Sequence, residues 1–385
     1  MSGFPIDKFN ELKTPFYYYD VDLLRATLGT VKECADTLDL HVHYAVKANA
    51  NPKILDIVKE YGLGVDCVSG GEIQAAIDAG FDGSDIMFAG VGKTDEEIRL
   101  ALASGIRCFN VESLPELLNI NEIAAQTNSM AHIAVRINPN IDAHTHQYIT
   151  TGLNENKFGI NLENLGEFVS TALALPNIDL CGIHYHIGSQ IRDLEPFEQL
   201  CDKVNDTLAY IESLGAKITI IDVGGGLGIN YDDPDSEPIA DFKTYFEIFA
   251  RNIKRRPDQQ IHFEPGRSIV AQAGSLITRV LYVKEGTAKK FVIVDAGMTD
   301  LIRPALYQAH HKIENISSHS SVDDKYDVVG PICESSDCFG TDERLPLTNR
   351  GDFLALRSAG AYGEVMASRY NCRHLPGSIL STELA

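Results

Sequence analysis

Positive charge is scarce in this chain: 33 lysines and arginines stand against 54 aspartates and glutamates, a formal net charge of −21 over 385 residues. Nucleic acid is thereby excluded as an expected partner, because phosphate binding requires a cationic surface. No stretch approaches the roughly twenty uninterrupted apolar residues of a membrane helix, so no membrane partner is expected. The first eight residues, Met1 to Lys8, carry neither a basic nor an apolar signal region. The eight cysteines are scattered and no C-x-x-C pair occurs, which argues against a zinc ribbon and a disulfide framework. Reduced thiols in the cytoplasm are the expectation. No low-complexity tract is present, and 44% hydrophobic residues suffice for a large core in two domains.

What is there is a regular alternation. β-type runs at 41–46, 64–68, 85–89, 107–111, 132–138, 178–186, 217–223 and 260–264 alternate with amphipathic segments at 52–61, 70–79, 95–104, 114–126, 164–175, 196–214 and 241–256. A helical segment at 20–38 precedes them. Ser69 with Glu72, Thr94 with Glu97 and Ser113 with Glu116 have the spacing of capping boxes. The runs are nearly continuous in apolar residues, as in a parallel sheet covered by helices. Eight such units fit a (β/α)8 TIM-like barrel, and without a Gly-x-Gly-x-x-Gly opening a doubly wound open sheet is the second choice. After Arg267 the pattern changes to β-rich runs at 270–284, 290–295, 325–329 and 352–358 with no long helix. The expectation is an α/β barrel at 20–268, and an antiparallel β domain of sandwich or Greek-key type built from 1–19 with 269–385. The short run 16–19 is expected to join the latter. The loop 139–158, with His144, His146 and Tyr148, is long for a barrel connection and suggests a lid or substrate loop.

Active sites of such barrels lie at the C-terminal strand ends. Those ends deliver Lys47 and Asn49, Arg136 and Asn138, His184, His186 and Ser189, Asp222 with Gly224-Gly225-Gly226, then Glu264, Gly266 and Arg267. A strand-end lysine beside apolar walls is a candidate amine nucleophile, against the commoner reading of a solvated loop lysine. The glycine triplet brings bare amides close to an anion, or else marks a tight turn that needs positive φ. Gly266 and Arg267 offer a second anion-facing turn, and Ser189 a hydroxyl. His186 suits a ring stacked on an aromatic cofactor better than a metal site shared with His184, since no third ligand clusters with them in the sequence. Buried Glu264 requires a partner, either a protonated ring nitrogen or a structural salt bridge. Lysine, phosphate nest, stacking histidine and carboxylate together describe pyridoxal 5′-phosphate.

Tyr44-Ala-Val-Lys-Ala-Asn49, His186-Ile-Gly-Ser-Gln190, Gly224-Gly-Gly226 and Glu264-Pro-Gly-Arg267 resemble the alanine-racemase-fold (fold type III) pyridoxal-phosphate-dependent decarboxylases. Within them the chain is most similar to the branch acting on meso-2,6-diaminopimelate. That likeness extends over about 14–371 and includes Thr151-Gly-Leu-x-x-Asn-Lys-Phe-Gly159, Arg303-Pro-Ala-Leu-Tyr307, Gly330-Pro-Ile-Cys-Glu-Ser-Ser-Asp337 and Ala359-Gly-Ala-Tyr362. The resemblance implies Lys47 as the lysine that joins the cofactor, His186 against its ring and Glu264 at its ring nitrogen. It implies Ser189, Gly224, Gly225, Gly226, Pro265, Gly266, Arg267 and Tyr362 around the phosphate. It also implies a homodimer in which Cys333 is the proton donor across the interface; a small buried apolar cysteine is the plainer alternative.

The substrate expectation comes from charge. Arg267 and Arg303, with Tyr307 and Tyr362, offer a clamp for a distal carboxylate, and Glu334 an anion for a distal ammonium. That set complements a second amino-acid centre, hence decarboxylation of meso-2,6-diaminopimelate to L-lysine at the end of lysine biosynthesis. A polyamine-type decarboxylase, for example one acting on carboxynorspermidine, and a non-catalytic cofactor-binding homologue are the competing readings. No metal is expected.

Overall fold

A computed structural model describes residues 3–141 and 157–384. Positions 142–156 of the expected loop, with His144, His146 and Tyr148, lie outside the described residues, as does most of the 151–159 motif. The chain divides into two units: Leu28–Gly228 with Asp241–Gly266, and Met1–Thr27 with Ile229–Ala240 and Arg267–Ala385.

In the first unit all eight expected strands form, as Leu40–Ala45, Gly64–Cys67, Ile86–Phe88, Cys108–Val111, Ala131–Asn138, Ile178–His184, Ile220–Asp222 and Gln260–Phe263. Each pairs in parallel with the next, and Ile261 pairs with Leu40, so the ring closes. Their residues are buried almost throughout, which is why the runs carry no polar alternation. The helices cover the outside. Behind the last strand, Phe246 and Phe249 of helix Phe242–Asn252 set their rings 4.7 and 5.2 Å from Phe263.

Helix starts follow their caps, with one correction. Thr94 and Glu97 form the complete capping box. Ser69 and Ser113 accept from the Glu72 and Glu116 amides, but the two glutamates reach one residue further back, to the Val68 and Glu112 amides at 2.7 Å. Those donors precede the caps and face away from water, so they compete well for the carboxylates.

The second unit is built on one branched strand network: Phe16–Tyr19, Gly274–Glu285, Lys290–Val294, Ile313–Asn315, Asp323–Val329, Cys338–Pro346, Phe353–Leu356 and Gly377–Leu380. The long strand Gly274–Glu285 serves both branches and shifts register between Val280 and Tyr282. Most pairings are antiparallel, but Phe16–Tyr19 with Gly377–Leu380 and Lys290–Val294 with Asp323–Val329 are parallel, correcting the purely antiparallel expectation. Long connections permit parallel pairing where tight hairpins forbid it. The expected run at 270–284 begins instead with a helical turn, Arg267–Val270.

Thr94→Ala removes the hydroxyl that accepts the Glu97 amide. It should lower stability by about 1 kcal/mol, seen as a lower urea midpoint at unchanged slope.

Candidate active site

The barrel strands end in polar groups that touch one another. Lys47 lies in a single 3-10 turn, Val46–Ala48, directly after its strand, and its Nζ is 2.7 Å from Asp66 Oδ2 at the end of the neighbouring strand. Asp66 is fully buried. Burial first, then the Glu264 charge, raises its carboxyl to about 7 against the pull of Lys47. The sequence reasoning missed Asp66, although an acid inside an otherwise apolar buried strand was the available signal.

Glu264 follows the last strand. Its Oε1 accepts from Asn110 Nδ2 at 3.1 Å and its Oε2 lies 3.2 Å from His184 Nε2. Burial opposes its ionisation, but His184 and Lys47 outweigh burial and hold it well below the usual carboxylate range. Asp222 shows the reverse. Burial and the adjacent Glu264 push it well above its ordinary value, while the Gly224 amide at 2.8 Å binds its other oxygen. Two buried carboxyls side by side thus hold one negative charge, placed on Glu264. Donor atoms of His184, Asp222 and Glu264 lie within 4.8 Å of one another, so it is His184 rather than His186 that joins a cluster. The structural partner anticipated for Glu264 is present, and its carboxylate still has lone pairs for a ring N–H.

His186 sits beyond the strand. Its Nδ1 accepts the Gly225 amide at 3.4 Å, and burial with the Arg136 charge lowers the ring to about 3, so it is neutral. Arg136 itself pairs with Glu112 at 2.9 Å and is a structural residue. The tight-turn reading of the glycine triplet is realised. Gly224 and Gly226 have φ of 71° and 112°, and a Cβ on Gly225 would fall 2.3 Å from the Glu264 carbonyl oxygen. Among the described residues the Gly226 amide donates to no group. Ser189 is half-buried in the same unit, and Gly266 packs against Ala45 and Ala48 beside Lys47.

In the second unit a pair of buried guanidiniums converges on one phenol. Arg267 Nη1 donates to Tyr231 Oη at 2.7 Å, and Arg303 lies 5.0 Å from the Tyr231 ring centre. Although burial would raise it, Tyr231 is lowered by the two charges. Tyr362 lies under Arg267, with 4.9 Å between Cζ and the ring centre, and half-buried Tyr307 is close enough to act on the Arg267 charge. Arg303 Nη1 lies 2.8 Å from His311 Nε2, and His311 Nδ1 lies 2.9 Å from the Arg357 carbonyl. The carbonyl only accepts, so Nδ1 carries the proton and Nε2 accepts from Arg303. Burial and Arg303 lower His311 to about 3, consistent with a neutral ring. Arg303 is 6% exposed and forms no salt bridge among the described residues. Tyr231 and His311 escaped the sequence reasoning, because neither stands in a motif.

Cys333 and Glu334 are exposed on a turn held by Asp337, which accepts from the Ile332 and Met298 amides. Glu334 receives Tyr370 Oη at 2.6 Å. No hydrogen bond or ring contact of the described residues joins this turn to Arg303, and Cys333 is exposed rather than a small buried apolar cysteine.

An amine beside a buried acid, an ionised carboxylate kept from water, a neutral imidazole and an open glycine amide fit pyridoxal phosphate, and on a (β/α)8 barrel they define a fold type III enzyme. The chain belongs to the pyridoxal-dependent decarboxylases: the family's pyridoxal-binding domain matches residues 22–271. Pyridoxal phosphate is that family's cofactor. A diaminopimelate decarboxylase of Bacteroides thetaiotaomicron is 58% identical over 382 residues, 99% of each chain. Crystal structures of diaminopimelate decarboxylases complexed with L-lysine are also similar. That from Helicobacter pylori has a TM-score of 0.92 at 43% identity, covering 97% of this chain and 93% of its own. That from M. jannaschii has 0.91 at 36%, covering 98% and 89%.

The shared proton has a measurable consequence. Above the ordinary carboxyl range Asp222 is protonated when folded and ionised when unfolded, while Glu264 is ionised in both. The folded chain therefore holds one extra proton, and this group's stabilisation, complete below its unfolded pKa, is lost as pH rises toward its folded value. Asp222→Asn keeps the shape of the protonated acid and should remove about 1.4 kcal/mol per pH unit of slope from the stability of the cofactor-free protein between about pH 5 and 8. Urea unfolding of both proteins across that range measures it; an unchanged slope would show Asp222 to be ionised.

Proposed function

We propose that the protein decarboxylates meso-2,6-diaminopimelate to L-lysine and CO2, the closing step of lysine biosynthesis. One observation carries the choice of substrate: Arg303 is a buried cation that forms no salt bridge among the described residues and rests on the neutral ring of His311. A buried charge so placed is costly without a counter-ion, and a substrate carboxylate supplies one. Arg267 and Arg303 then take the distal carboxylate, with Tyr307 and Tyr362 beside them, and Glu334 takes the distal ammonium.

Pyridoxal phosphate, when bound, supplies the electron sink that lets the bond from the α-carbon to its carboxylate break with the electron pair retained. The residues of the chain hold and assist it. Lys47 Nζ is the amine that would hold the cofactor, and Asp66, raised to about 7, accepts its hydrogen bond or proton. Glu264, held ionised well below the usual carboxylate range, would keep a ring nitrogen protonated. Gly224, Gly225, Gly226, Gly266 and Ser189, with Pro265, Arg267 and Tyr362, would hold the phosphate, and neutral His186 would support the cofactor ring. Cys333, exposed on its turn, would return a proton to the α-carbon in the site of a second copy. Most of the cofactor groups then lie within residues 20–268, and Arg303, Tyr307, Cys333 and Glu334, the remaining substrate and proton-donor groups of a homodimer, within 269–385.

Purified protein loaded with pyridoxal phosphate should release CO2 from meso-diaminopimelate and discriminate against ornithine by about ten-thousandfold, since ornithine leaves the arginines unpaired. Equal turnover of ornithine or carboxynorspermidine, neither of which has a distal carboxylate, would overturn the substrate. Glu264→Gln should lower kcat by about a hundredfold or more. Arg303→Ala should lose most of kcat/KM for diaminopimelate; a variant with undiminished kcat/KM removes the distal-carboxylate role.

A further inference from the structure

At the opposite end of the barrel from Lys47, the first residues of three strands bring together a second set of donors. His132 is the second residue of Ala131–Asn138 and Asp179 the second of Ile178–His184; the two face each other in register, with His132 Nδ1 2.8 Å from Asp179 Oδ2. A bulge follows at once. Leu180 pairs with Ile133 and Gly182 with Ala134, leaving Cys181 as the extra residue. A bulged residue is re-aimed relative to its neighbours, and here the thiol is turned toward the pair. One ligand atom each from His132, Asp179 and Cys181 lies within 4.8 Å of the others. From the adjacent strand Cys108–Val111, buried Cys108 belongs to the apolar cluster against which Cys181 packs, its thiol donating to the Phe109 carbonyl at 3.6 Å.

We propose that His132, Asp179 and Cys181 form a binding site for a thiophilic divalent cation, Zn2+ by preference, at the N-terminal rim of the barrel. The donor set of one imidazole, one carboxylate and one thiolate is that of a borderline-soft ion and excludes Mg2+ and Ca2+, which take oxygen. Metal–ligand lengths of about 2.0–2.3 Å at tetrahedral angles place donor atoms about 3.3–3.7 Å apart. The site needs the His132–Asp179 contact to open slightly and the thiol to approach, movements available to side chains that are 51% and 52% exposed. On binding, the Cys181 S–H gives up its proton to solvent, breaking its contact with the Ile133 carbonyl at 3.5 Å. Imidazole Nδ1 binds with its proton on Nε2, Asp179 binds ionised, and water fills the fourth position. The Cys108 S–H then donates to the metal-bound sulfur and orients it. An ion so held ties two neighbouring strands together at the face where barrels keep stability rather than chemistry, so it leaves turnover unaffected and is independent of the substrate reading.

Holoprotein freed of metal with a chelator and titrated with Co2+ should develop a sulfur-to-cobalt charge-transfer band that Zn2+ abolishes stoichiometrically, and Zn2+ should raise its Tm. Cys181→Ser and His132→Asn should each weaken Zn2+ affinity by about a hundredfold or more, with decarboxylation unchanged, and Cys108→Ala by about tenfold. A double Cys333→Ser/Cys372→Ser variant, lacking the exposed thiols, should keep the band. Absence of the band in the parent protein, its survival in Cys181→Ser, or its loss in the Cys333/Cys372 variant would overturn the site. His132→Asn, a surface change, keeps the test decisive if Cys181→Ser fails to fold.

Discussion

One negative charge, kept from water beside the last barrel strand, sets the state of every group around it. Glu264 and Asp222 together hold a single charge, because the cost of two in that volume exceeds what His184 can offset. Which carboxyl keeps it is decided by donors: Glu264 has an amide and an imidazole, Asp222 only the Gly224 amide. The same charge lifts Asp66, and so makes the partner of Lys47 a group that titrates near neutrality rather than a fixed anion. The electronic requirement of the cofactor and the proton balance at the lysine are two results of one electrostatic arrangement.

A parallel economy governs the second unit. His311 is neutral because it is buried beside Arg303, and being neutral it presents a lone pair to that guanidinium. Tyr231 accepts from Arg267 and lies beside Arg303. The neutral His311 ring fixes the position of the Arg303 guanidinium without satisfying its charge, which is the arrangement a carboxylate-binding site requires.

The barrel was legible because each of its strands is buried on both faces and flanked by turn residues; all eight appeared within a few positions of where the apolar runs place them. Ends were less legible. The segment at 241–256 stops at Asn252, short of the Arg255 and Arg256 that pair with Asp39 and Glu212 instead of continuing the helix. Strands Ile313–Asn315, Cys338–Pro346 and Gly377–Leu380 went unseen, since Cys338–Pro346 in particular carries Asp342, Glu343 and Arg344 on a largely exposed edge. In the site, residues that stand at strand ends in short motifs were found from sequence, Lys47, His186 and Glu264 among them. Asp66, Tyr231 and His311 were not, because what gives each its role is a neighbour far away in sequence.

The closure of the barrel also orders events in time. Leu40 waits for Ile261, so the ring stays open through most of its own synthesis, on the order of tens of seconds at ribosomal rates. Phe16–Tyr19 waits longer still for Gly377–Leu380. During that interval the first barrel strand keeps one open edge, and the N-terminal aromatic strand has a bare edge as well. Each open edge is a template for wrong pairing until the last strands emerge.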